Sequence, residues 1–114
     1  MTAGRQRLGQ WGENKAAAWY RERGWEVLDR NWRGTGGELD LVVGRAGTVV
    51  FCEVKTRSST AYGHPAEAVD RRKQQRIRSL AVQWLRQHHE PAANLRFDVA
   101  CVLKGRLEVL EGAF

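Results

Sequence analysis

The stretch Gly37-Glu38-Leu39-Asp40-Leu41-Val42-Val43, then Gly44-Arg45-Ala46-Gly47, then Thr48-Val49-Val50-Phe51-Cys52-Glu53-Val54-Lys55 decides the fold. Its two flanking runs are rich in β-forming residues, and the middle four make a tight turn, so the segment predicts a β-hairpin. With Ala46 and Gly47 as the central turn residues, Arg45 faces Thr48. Continued pairing then sets Asp40 opposite Glu53 and Glu38 opposite Lys55. Strand alternation puts Glu38 and Asp40 on one face, and Glu53 and Lys55 on the face of Val49 and Phe51. A slip of one residue would turn Asp40 away from the others, so the register carries the chemistry.

Working outward, Arg5 to Arg23 reads as a helix closed by Gly24, because Gly9, Gly12, Glu13, Ala16, Ala17 and Tyr20 recur on one side. The small residues of that stripe would let the helix approach a sheet closely, and Glu13 falls within it. Trp25 to Trp32 predicts a strand with imperfect alternation, and Arg33-Gly34-Thr35-Gly36-Gly37 a flexible turn. A long helix should open at Pro65, with Glu67 near its positive end, and close before Pro91. Its core stripe is Val69, Ile77, Leu80, Ala81, Trp84 and Leu85. Leu95 to Leu103 alternates as a half-buried strand, and Arg106 to Leu110 pairs with it across Lys104-Gly105. The order is αβββαββ, an α/β sandwich with two helices flanking a mixed sheet.

The chain has 114 residues, enough for one domain over 1–114 with a single core. Five Trp, two Tyr and three Phe within a 42% hydrophobic composition exclude a disordered chain. The net charge of +6 favours polyanionic partners, although arginine-rich composition has other causes. Cys52 and Cys101 lie inside apolar runs and read as small buried hydrophobes, so a zinc site is unsupported. Without an apolar signal-peptide core, the two cysteines point to a reducing, cytoplasmic setting. No stretch approaches the ~20 apolar residues of a membrane span.

Carboxylates and an ammonium gathered on one sheet face are costly to desolvate unless they pair or hold a cation. Hard oxygen donors of this kind suit Mg²⁺ or Mn²⁺, which bind through a few carboxylates and leave positions for water and phosphate. Such an ion meets the needs of phosphodiester hydrolysis: an activated water and relief of charge building on the phosphate. Lys55 would orient the water or stabilise that charge. The plainer alternative is a solvated strand end at Glu38 and Asp40, with Glu53 and Lys55 in cross-strand ion pairs. Glu38 in particular reads equally as a partner of Lys55.

One of Lys73 and Gln74, in the first turns of the long helix, could support the site; a snorkelling lysine is the alternative. Arg57, Arg71, Arg72, Arg76 and Arg78 would contact phosphates or form a solvated face. His64, His88 and His89 lack neighbouring ligands at metal-binding spacing. Asp98 reads as a salt-bridge partner. The tryptophans would stack on unpaired bases or pack in the core, as Trp84 does on the helix stripe.

Asp40 followed by Glu53-Val54-Lys55 resembles the PD-(D/E)XK signature of restriction-endonuclease-like nucleases, with Leu39 where that signature has proline. Gly9-Gln10-Trp11-Gly12-Glu13, Gly37 to Val42, Phe51 to Arg57 and Arg96-Phe97-Asp98-Val99 resemble the bacterial YraN family of uncharacterised proteins, itself similar to archaeal Holliday-junction resolvases. The resemblance implies a metal held by Asp40 and Glu53 with help from Glu13, and a catalytic or orienting role for Lys55. The expected activity is Mg²⁺-dependent DNA endonuclease action on branched or damaged DNA, by a homodimer where both strands of a junction are cut. The rival expectation is a nucleic-acid-binding module with this fold and no turnover; hydrolysis of RNA or a small phosphate ester is a third.

Overall fold

The computed structural model describes residues 3–57 and 69–114. Its elements are α1 (Ala3–Glu22), β1 (Glu26–Gly34), β2 (Gly37–Arg45), β3 (Thr48–Arg57), α2 (Arg71–His88), β4 (Asn94–Leu103) and β5 (Arg106–Leu110), the expected αβββαββ order. The strands form one sheet in sequence order. All neighbours are antiparallel except β3 and β4, which run parallel because α2 carries the chain back between them. Two hairpin turns have consecutive left-handed residues, Ala46 and Gly47 (φ 50° and 82°) and Lys104 and Gly105 (φ 51° and 80°). That conformation matches the twist of the flanking strands. It fixes Arg45 opposite Thr48, as the sequence predicts.

Alternation along β3 divides the core between two faces. Val49 and Phe51 pack with Ile77, Leu80, Ala81 and Trp84 of α2, while Val50 and Cys52 pack with Ala16, Ala17 and Tyr20 of α1. The small-residue stripe of α1 does what its spacing implies: a Cβ added at Gly12 would run into the Thr56 hydroxyl, so only glycine lets the helix lie this close to β3. Cys52 and Cys101 are buried free thiols in the two different clusters, on opposite faces of the sheet.

Two sequence expectations change, and a third gains a physical cause. The long helix begins at Arg71, where the Asp70 side chain accepts the Lys73 N–H at 2.9 Å as N-cap. Pro65, Glu67 and His64 lie outside the described residues. The Arg33–Gly37 segment is not wholly a turn, because β1 continues to Gly34 and β2 starts at Gly37. The uneven alternation of β1 has a physical cause: its pairing with β2 shifts register between Val27 and Asp29, and Asn31 adopts a left-handed φ of 52°.

Asp98 is completely buried, and its partners account for it. Tyr20 donates to Oδ2 at 2.6 Å, Arg96 donates to both oxygens at 2.9 and 3.0 Å, and the Gly112 N–H donates to Oδ1 at 2.9 Å. The group ties α1, β4 and the chain after β5 together, which makes it structural. Arg96→Met would leave this carboxylate buried without its cation and should cost about 3 kcal/mol, read as a lower urea midpoint. Glu111→Gln breaks only the outer pair of Arg96 with a 54% exposed side chain and should cost less than about 1 kcal/mol. Equal midpoints would contradict this assignment.

Candidate metal centre

Pairing between β2 and β3 runs from Arg45–Thr48 to Leu41–Cys52 and stops there. The next pair in register would be Asp40 and Glu53. Instead of continuing the ladder, Asp40 turns its carboxylate to β3, where Oδ2 accepts the Val54 N–H at 2.9 Å. A side-chain bond thus replaces a main-chain one, and the two strands part. Glu38, Leu39, Asp40, Phe51, Cys52, Glu53 and Ile77 line the resulting narrow, shallow cleft.

In this gap the Asp40 and Glu53 carboxyl groups come within hydrogen-bonding reach of each other. Burial, then the bond to Glu53 and its negative charge, push the Asp40 carboxyl well above the usual range. The Asp40 carboxyl therefore keeps its proton to a higher pH than a free aspartate does. Lys73 reaches in from the first turn of α2, its Nζ 3.7 Å from Glu53 Oε2. Lys55 stands beside it; burial first, then contact with Lys73, lowers its affinity for a proton, opposed by Glu53 and Asp40.

Glu13 stands at the margin. Its pKa is raised by burial, against a hydrogen bond from Asn31 and the charge of Arg30, and the charges of Glu38 and Glu53 also raise it. Its Oε1 lies 3.9 Å from Arg30 Nη2. Sequence reasoning missed Arg30 and Asn31; the one available signal was Asn, which tolerates left-handed backbone better than most residues.

Other expected members fall elsewhere. Glu38 lines the cleft but pairs on β1 with Arg33, at 3.4 Å, so the anticipated pairing of Glu38 with Lys55 does not form. Of the two α2 candidates, Lys73 joins the site, while Gln74 donates to the Val69 carbonyl at 3.2 Å. Arg71, Arg72 and Arg76 are exposed on α2, and Arg57 is half-buried at the end of β3. Arg78 lies over the Phe97 ring, 4.6 Å from its centroid. His88 contacts the Trp84 carbonyl at 2.8 Å and Asp29 at 3.4 Å, away from the carboxylate pair.

The donor set fits a hard divalent cation. The half-buried Asp40 and buried Glu53 carboxyls can bind an ion that neutralises both, and neighbouring ammonium groups suit a phosphate brought to that ion. Asp40 and Glu53 would hold Mg²⁺ or Mn²⁺. Among the described residues no three His, Cys, Asp or Glu side chains are grouped closely enough to make a protein-only metal cage, so water or substrate oxygens would complete the coordination.

The fold and the site together define an α/β protein that opens a mixed sheet to present an acidic pair beside two lysines. The chain belongs to the uncharacterised protein family UPF0102, the YraN-like family, whose model matches residues 12–102. It is 52% identical to a UPF0102 protein of Beutenbergia cavernae over 99 residues, covering 87% of this chain and 84% of that one. It is 51% identical to one of Frankia casuarinae, covering 94% and 95%. To one of Moorella thermoacetica it is 42% identical over the full length of both. No helix among the described residues is long and apolar enough to cross a membrane.

Asp40→Asn is expected to stabilise the metal-free protein. A carboxyl whose folded pKa is raised contributes stability fully below its unfolded pKa and loses it as pH rises through the folded value. Asn keeps an acceptor for the Val54 N–H and donates to Glu53 without ever ionising. Melting in EDTA should show the variant ahead by about 1 to 2 kcal/mol at pH 8, the gap closing toward pH 4. A variant less stable than the native chain at pH 8 would contradict the raised proton affinity of Asp40.

Proposed function

We propose that this chain is a metal-dependent DNA endonuclease that selects nucleic-acid structure rather than sequence and acts in the cytoplasm. The observation that carries the reading is the contact of Asp40 with Glu53 at the parting of β2 and β3, with Lys55 and Lys73 beside it. Asp40 and Glu53 would hold Mg²⁺ or Mn²⁺, with Glu13 adding negative charge from α1. When bound, that ion supplies Lewis-acid activation and neutralises negative charge on the phosphate.

Lys55 orients the attacking water and, with its proton less tightly held, exchanges protons with it more readily than an ordinary lysine. Lys73 holds Glu53 in place and offers a second positive charge to the non-bridging phosphate oxygens. Arg57, Arg71, Arg72 and Arg76 supply phosphate contacts that position DNA without reading bases. Cutting opposed strands of a junction would call for two copies related by a twofold axis.

A second reading, binding without turnover, draws on the fact that no three His, Cys, Asp or Glu side chains among the described residues are grouped to hold a metal ion. Linear, nicked, flapped and four-way-junction DNA incubated with Mg²⁺ or Mn²⁺ separates the two. Cleavage by the native chain should fall at least about a hundredfold in Asp40→Ala, Glu53→Ala and Lys55→Ala. Equal cleavage by all four proteins would contradict the mechanism. Binding of junctions with steep salt dependence and no cutting by the native chain would favour the second reading.

A further inference from the structure

Five tryptophans stand in this chain, and four contribute to the cores. Trp25 and Trp84 are buried, and Trp19 and Trp32 pack against the two clusters. Trp11 is different: its side chain is 43% exposed. A single exposed apolar residue needs no explanation by itself. What distinguishes Trp11 is where the ring is held and by what.

The next residue, Gly12, lies against Thr56, the residue that follows Lys55 on β3. On its other side the Trp11 ring approaches the β4–β5 turn, where a Cβ on Gly105 would come within 3.8 Å of it. That turn is fastened to the end of β3 by the Lys104 N–H, which donates to the Arg57 carbonyl at 3.2 Å. Lys15 lies over the Trp11 ring, its Nζ 4.7 Å from the centroid, and donates to the Gly105 carbonyl at 3.0 Å. An indole is therefore fixed at the rim of the sheet end that carries the acidic pair, with the ammonium of Lys15 on it and the exposed Lys104 on the adjoining turn. Trp11 stands at the C-terminal end of β3 on the α1 side of the sheet, where Gly12 meets Thr56, whereas Glu53 and Lys55 alternate with Thr56 onto the other face.

We propose that Trp11 is a stacking platform for an unpaired nucleobase, so that the substrates are DNAs with flaps, junctions or single-stranded ends. The proposal rests on the nucleic-acid reading of the site and adds the feature selected. A flat aromatic ring accepts any base face, which gives structure selectivity without sequence selectivity. Paired bases inside a duplex keep their faces covered, so intact DNA gains nothing from the ring. When a base takes the indole, Lys15 is free to move from the ring to the neighbouring phosphate.

The test is equilibrium binding in EDTA, where no cleavage occurs, of a single-stranded oligothymidylate, a flapped duplex and a blunt duplex of equal length, at fixed ionic strength. Trp11→Ala should weaken binding of the first two at least about fivefold and leave the blunt duplex within a factor of two, while Trp11→Phe keeps most of the affinity. Thymine should quench tryptophan emission in the native chain and not in Trp11→Phe. Equal losses on all three DNAs, or no loss on any, would overturn the platform. Selective, Trp11-dependent binding by a protein that cuts none of the DNAs would uphold the platform while defeating the nuclease reading.

Discussion

The hydrogen bond from the Val54 N–H to Asp40 is the constraint on which the site depends. Two antiparallel strands that continued their ladder would keep their backbones some 5 Å apart and leave no room between them. By accepting a main-chain donor with its side chain, Asp40 ends the ladder after Leu41–Cys52 without leaving that N–H unsatisfied. The gap so created holds two carboxyls, and their mutual repulsion is relieved by a proton, a lysine or an added cation. Every chemical feature of the site follows from this one substitution of side chain for backbone.

Around that gap the fold supplies rigid support from both sides. On one face Phe51 and Trp84 pack edge to face, and α2 brings Ile77 to the cleft and Lys73 to Glu53. On the other, Gly12 lets α1 settle on Thr56, which brings Glu13 within electrostatic range of the acidic pair. Farther away the buried Asp98 network locks α1 to β4. The acidic pair destabilises the sheet where it sits, while these contacts stabilise it elsewhere, a division expected of sites kept for chemistry rather than for folding.

Much of this was legible in the sequence, for identifiable reasons. The Ala46-Gly47 turn fixed the hairpin register, and from that register the meeting of Asp40 and Glu53 followed. Small residues at helical spacing marked the buried side of α1. What was not legible depends on where regular structure stops. Extrapolating the ladder put Glu38 opposite Lys55, but the strands part before that pair, and Glu38 turns to Arg33 on its other neighbour. The start of α2 was misplaced because Pro65 and Glu67 make a helix opening as acceptable locally as Asp70, whose capping role shows only in three dimensions. Arg30 and Asn31 escaped notice because a bulge and a left-handed residue set their positions, and strand periodicity carries no signal for either. The choice of Lys73 over Gln74 depends on a rotation of α2 that the apolar stripe defines only to within a residue.

Asp40 and Glu53 are proposed as the ligands of one hard divalent cation, and anomalous scattering from crystals grown with Mn²⁺ tests this most directly. A peak between the Asp40 and Glu53 carboxylates, absent in crystals of Glu53→Gln, is the result expected. A Mn²⁺ peak bound elsewhere, or none near the pair at millimolar metal, would contradict the account.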